Sequence, residues 1–179
     1  MTGSTGRIFD ELLLVAARRG DRCAADRLAA RWQPRLLRTA RRLLRNEDEA
    51  RDAVQEAWIA ICRGWLAREG PARFPAWAFT VAHRECAGRI RPNQKNRAKQ
   101  VFDGEVSQVP GAPEDATAIR QALGLLGPDH RLAIVLFLGE GLTLAEIADV
   151  TGVPVGTVKS RIFHARRQMR AALHGETDD

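Results

Sequence analysis

Apolar residues along this chain recur at three- and four-residue spacing and almost nowhere alternate singly, which predicts helices and no sheet. The stripes predict helix over residues 10–18, stopping at Gly20, and over 21–32, with Pro34 near the start of a continuation to Leu44. Residues 47–65 read as one long amphipathic helix, with Ala50, Val54, Ala57, Trp58 and Ile61 at helical spacing. Gly70-Pro71 breaks the chain. A further helix starts at Phe74-Pro75, carries Trp77, Ala78, Val81 and Ala82 on one side, and should end by Arg91, because a residue before proline disfavours helical backbone. Periodicity is lost over 93–113, a stretch of about twenty residues, longer than connections inside compact domains. Helical spacing returns over 114–126, stops at Gly127-Pro128, and resumes over 129–138. The expected fold is all-α: two small helical domains, residues 7–97 and 114–175, joined by a flexible linker over 98–113.

Residues 143–170, TLAEIADVTGVPVGTVKSRIFHARRQMR, carry the most specific pattern. Thr143 and Glu146 have capping-box spacing. Leu144, Ile147, Ala148 and Val150 form a short apolar stripe, Gly152 permits a turn with positive φ, and Pro154 suits the first position of a second helix. In that helix Val155, Val158 and Ile162 can face the first, leaving Gly156, Thr157, Lys159, Ser160, Phe163, His164 and Arg167 on other faces. No acidic residue occurs from Gly156 to Gly175, whereas Lys159, Arg161, Arg166, Arg167 and Arg170 are all basic. This is a helix-turn-helix with a recognition helix suited to the major groove.

The chain carries 28 Lys and Arg against 22 Asp and Glu, a net +6, as expected of a protein that meets phosphate. The charges are clustered. Glu47, Asp48, Glu49, Asp52 and Glu56 fall within ten residues. The helix dipole accounts for the first three; Asp52 and Glu56 lie deeper, at i,i+4 spacing, where like charges repel. Two readings stay open, a solvated face and a docking surface for a basic partner. Phe74, Trp77 and Val81 read as core, while Phe79 and His83 lie on a different face and are freer to meet a nucleic acid. Arg84, Arg89, Arg91, Lys95, Arg97 and Lys99 then make a basic run opposed by Glu85 alone. No catalytic constellation, phosphate loop or metal-ligand cluster stands out, so no enzyme and no cofactor are expected. Cys23, Cys62 and Cys86 are widely spaced and odd in number; they read as buried, inert thiols in a reducing compartment, and His83 with Cys86 is too small a set for a structural metal. With no leader pattern and no apolar run near the roughly 18–20 residues of a membrane span, a cytoplasmic protein without membrane insertion is expected.

Several of these segments resemble one family in its own order. EARDAVQEAW (49–58) is similar to region 2.2, FPAWAFTVAHR (74–84) to region 2.3, and residues 142–170 to region 4 of extracytoplasmic-function sigma factors, a branch of the sigma-70 family. The resemblance implies promoter-directed transcription initiation. The face of Asp48, Asp52, Gln55 and Glu56 would dock on the clamp helices of the largest subunit of core RNA polymerase. Phe79, His83, Arg84, Arg89, Arg91 and Lys95 would open and hold the −10 element of promoter DNA. Thr157, Lys159, Ser160, Arg161, Phe163, His164, Arg166 and Arg167 would engage the −35 element, with the arginines mostly on phosphate. A cognate anti-sigma factor is a further implied partner. Arg84 and Gly88 stand where the family usually has Asn and Asp. The competing class is a stand-alone helix-turn-helix repressor or activator, which would carry a dimerisation helix or an effector pocket.

Overall fold

The computed structural model describes residues 3–65, 74–97 and 114–174, and among them there is no strand. The chain divides into two compact units. The N-terminal one holds α1 (Gly3–Arg18), α2 (Arg22–Leu44), α3 (Glu47–Trp65) and the greater part of α4 (Phe74–Arg97). The C-terminal one is built from α5 (Glu114–Leu125), α6 (Pro128–Ile134), a π-helical continuation over Val135–Gly139, the greater part of α7 (Leu144–Thr151), and α8 (Val155–His174). The expected linker, 98–113, and the Gly70-Pro71 break lie outside the described residues. No helix among the described residues is long and apolar enough to cross a membrane.

Trp32 is the hub of the N-terminal core. It is fully buried, with the Phe74 ring edge-on at 5.0 Å and the Phe79 ring at 5.5 Å, so it joins α2 to α4. Leu28, Leu36, Ala40 and Leu43 extend the same stripe, and Ala50, Val54, Ala57 and Ile61 answer from α3. Trp58 sits at the edge of that stripe, half-buried, its indole N–H donating to Gln33. Asp21 caps α2 by accepting from the Ala24 N–H at 3.1 Å. The helix ends at Arg45 in the left-handed conformation, φ 60°.

Two expected helix breaks do not occur. α2 runs unbroken through Pro34. An interior proline costs about 3 kcal/mol, but Trp32 and Leu36 on either side are fully buried, each contributing roughly 1.5–3 kcal/mol, and Pro34 itself faces solvent. α4 likewise continues past Arg91 and Pro92 to Arg97. The carbonyl that loses its amide partner to Pro92 belongs to Gly88, which is exposed and can bond water instead. α1 begins seven residues earlier than expected, at Gly3, because its first turns expose Ile8 and Leu12 and so show no buried stripe to read.

In the C-terminal unit a buried arginine fixes the corner between α5 and α6. Arg131 donates to the carbonyls of Leu123 at 2.8 Å, Gly124 at 3.1 Å and Leu126 at 2.7 Å, closing the end of α5. The helix expected over 129–138 starts at Pro128 and widens to π geometry at Val135. The chain then turns at Gly141, φ 68°, with the Leu142 N–H donating to the Leu136 carbonyl at 3.1 Å.

Candidate nucleic-acid interface

α7 begins with the capping box the spacing predicts. The Thr143 hydroxyl accepts from the Glu146 N–H at 3.2 Å, while the Glu146 carboxylate accepts from the Thr143 N–H at 2.8 Å. Gly152 takes φ 70°, which turns the chain into α8. Pro154 stands one residue ahead of α8, its carbonyl accepting from the N–H groups of Thr157 at 2.9 Å and Val158 at 3.1 Å, so it caps the helix rather than opening its first turn.

Val158, Ile162 and Ala165 form the buried side of α8. Val155, expected there, is 45% exposed: at the first residue of the helix it stands a turn ahead of the packed surface. The opposite side presents Lys159, Ser160, Phe163, His164, Arg166 and Arg167 to solvent, with Thr157 half-buried. Phe163 is 64% exposed, its ring edge-on to His164 at 5.6 Å. Ser160 donates its hydroxyl proton to the Thr157 carbonyl at 3.0 Å, which leaves its oxygen lone pairs facing outward. The Arg166 guanidinium lies 5.3 Å over the Phe137 ring, an exposed cation–π contact.

Arg161 departs from the rest of the set. It is largely covered and pairs with Asp129 at the start of α6. His130 beside Asp129 comes within 6.1 Å of His164, ring to ring, so the first turn of α6 borders the recognition helix. Nothing in the local sequence signals this; Asp129 lies 32 residues from Arg161.

The acidic cluster resolves into two groups. Glu47 is held from inside: Arg41 forks it at 2.6 and 2.5 Å, and Arg51 adds a contact at 3.0 Å. The Arg41 hydrogen bonds hold the Glu47 carboxyl below the usual carboxylate range, and the same bonds push Arg41 up. Asn46 accepts from the Glu49 N–H at 3.0 Å, capping α3. Asp48, Asp52, Gln55 and Glu56 remain on the exposed side, and none is paired with another described residue.

On α4 one expectation is overturned. Phe79, read as free to meet a base, is 1% exposed: it packs on Trp32, and the Arg35 guanidinium covers its ring at 5.7 Å. The α2 stripe, which α4 must cover, draws in Phe79 as well as Phe74, and a helix-periodicity count on α4 alone does not reveal that second neighbour. Trp77 is half-buried instead, lying on Gly64, where a Cβ would come within 2.9 Å of the indole. His83 is half-buried and Arg84 fully outward, with exposed Gly88 one turn on. Arg89 bonds its own helix, donating to the Glu85 carbonyl at 3.2 Å with the Glu85 carboxylate at 3.7 Å. The side chains of Arg91 and Lys95 lie outside the described residues. Of the three thiols only Cys86 is buried, which pushes it up to about 12; Cys23 and Cys62 are exposed, against expectation, because they sit on the solvent sides of α2 and α3. Among the described residues no three His, Cys, Asp or Glu side chains gather as a metal site would require.

An exposed helix face with a lysine, arginines, a hydroxyl acceptor and a planar apolar ring can donate to bases, accept from them, and grip phosphates. Comparison with known proteins points the same way. The model of Sigma-70 region 2 matches residues 28–96, and that of Sigma-70, region 4, matches 116–169. The RNA polymerase sigma-H factor of Pseudomonas aeruginosa is 32% identical over 92% of this chain and 93% of its own length. The ECF RNA polymerase sigma-E factor of Escherichia coli is 30% identical over 89% of this chain and 92% of its own. Among solved structures, CnrH in complex with the cytosolic domain of CnrY superposes with TM-score 0.72 at 26% identity, over 94% of this chain and 99% of that one. The sigma factor RpoE of Bartonella quintana, in complex with the anti-sigma factor NepR, has the same fold, TM-score 0.72 at 24% identity, over 85% and 98%.

Proposed function

The chain belongs to the sigma-70 family, among its extracytoplasmic-function sigma factors, and from that premise we propose how its two units divide the work of promoter-directed initiation. The C-terminal unit reads the −35 element: α8 enters the major groove, Lys159, Ser160, Phe163 and His164 meet base edges, and Arg166 and Arg167 hold phosphates. Thr157 and Arg161 flank that surface, Arg161 after leaving or sharing Asp129. The N-terminal unit binds core polymerase through Asp48, Asp52, Gln55 and Glu56, and its α4 holds the opened −10 strand through His83, Arg84, Arg89, Arg91 and Lys95. The exposed, acid-free face of α8 carries this reading. Polymerase supplies the chemistry and this chain the address, so the chain itself is not an enzyme and works in the cytoplasm, where the template lies.

A cognate anti-sigma factor is part of the proposal, since one of the superposed structures is named as a sigma factor in complex with an anti-sigma factor. Abortive initiation with purified core polymerase tests the reading. Promoter-dependent short transcripts are expected only when this chain is added. Duplex binding without any such product would favour a stand-alone repressor or activator.

A further inference from the structure

Two histidines stand side by side at the edge of the recognition helix, and only one of them belongs to it. The His130 ring, in the first turn of α6, comes within 6.1 Å of the His164 ring on α8. Neither imidazole hydrogen-bonds to another described residue. His130 is half-buried and His164 exposed. Beside them Gly127, Pro128, Asp129, His130 and Arg161 line a cleft of about 330 Å³. Gly127 brings no side chain and Pro128 no donor, so the chemistry of the cleft belongs to His130 and to the ion pair of Asp129 with Arg161. That pair leaves the cleft close to neutral in the free chain, one carboxylate offsetting one guanidinium.

We propose that this cleft seats one backbone phosphate of duplex DNA, with His130 donating to it and Arg161, shared with Asp129, beside it. The proposal rests on the placement of α8 in the major groove. That groove is about 12 Å wide and a helix with its side chains about 10–12 Å across, so α8 fills it and leaves no room for α6. A turn that adjoins α8 from outside, as the first turn of α6 does at His164, therefore meets the groove wall, which is a row of phosphates. An imidazole has an N–H to donate in either tautomer and in its protonated form. A free anion finds little net charge in the cleft, whereas a phosphate delivered by a duplex already gripped along α8 needs only a local donor. His130 thereby fixes the register of α8 on the duplex and reads no sequence.

Salt titration of the intact chain on labelled random-sequence duplexes, read by fluorescence anisotropy, tests it. His130→Ala should weaken binding about two- to tenfold, the share of one hydrogen bond, whatever the sequence. His130→Gln, which keeps an N–H donor, should hold the parent's affinity. His130→Lys puts a permanent charge in the cleft and should steepen the slope of log affinity against log salt by about 0.9, a gain that misfolding cannot produce. Ala172→Lys adds the same charge at an exposed position of α8, about 12 Å beyond His164, and should leave the slope unchanged. Parental affinity in His130→Ala overturns the proposal, as does an equal steepening in Ala172→Lys. So does a loss in His130→Ala that varies from sequence to sequence, which would put His130 on a base. Replacing chloride by inorganic phosphate at equal ionic strength should leave the parent's affinity unchanged; competition that His130→Ala abolishes would mark a free-anion site and overturn the assignment to the duplex. A parent that binds no duplex removes the placement of α8 and the phosphate seat with it, whereas a parent that binds with a slope indifferent to residue 130 removes the seat alone.

Discussion

At the scale of single residues, the proposed function divides α8 into side chains that choose a base and side chains that hold the backbone. Lys159 and Phe163 stand one turn apart on the exposed face, and Arg166 and Arg167 lie further along. Lys159→Ala or Phe163→Ala should cost about 1–3 kcal/mol on the correct −35 site and relax preference at one position. Arg167→Ala should weaken all sequences alike and lower the salt slope by about one. Equal losses on specific and random duplex for both classes would refute the division. On α4, Arg84 offers donors and a permanent charge where Asn would offer donor and acceptor. Arg84→Asn should therefore re-rank −10 variants in run-off transcription, whereas Arg84→Ala should mainly reduce open-complex yield; identical rankings in both mutants and the parent would place Arg84 on a merely solvated face. Burial predicts a different behaviour for the thiols. Cys86, pushed up to about 12, holds almost no thiolate at pH 8, so a thiol reagent should label Cys23 and Cys62 in the native chain and Cys86 only after unfolding. Labelling of all three at equal rates would contradict the burial of Cys86.

At the scale of helices, what the sequence disclosed depended on whether a signal was local. The α7–α8 turn was legible because its cap, left-handed glycine and charge asymmetry all fall within a few residues of one another. α3 was legible to the residue for the same reason. Pro34 and Pro92 misled because local preference against helix is outweighed by packing on the far side of α2 and by hydration at Gly88, which only the folded neighbours decide. Phe79 was misplaced by the same limit, since Trp32 lies 47 residues away, and the pairing of Arg161 with Asp129, 32 residues apart, was invisible for the same reason. The acidic face of α3 gives the prediction that belongs at this scale. Arg41 and Arg51 satisfy Glu47, and reversing Asp52 and Glu56 to Arg removes no ion pair among the described residues. That double mutant should melt like the parent yet fail to pull down core polymerase; retained pull-down would leave those carboxylates as ordinary solvated charge.

At the scale of the whole molecule, the chain forms two compact units, and the proposed function gives each its own DNA-facing surface, so that promoter selection would require both. Each unit therefore answers for its own promoter element, and a change confined to one should leave the other's preference intact. Genome-wide mapping of transcript 5′ ends after overexpression of the chain tests this most directly. The parent should generate new starts preceded by two motifs at fixed spacing. Lys159→Ala should degrade the upstream motif alone, and Arg84→Asn should shift the downstream one alone. New starts without a shared pair of motifs, or both motifs changing together in either mutant, would contradict the division of promoter recognition between the two units.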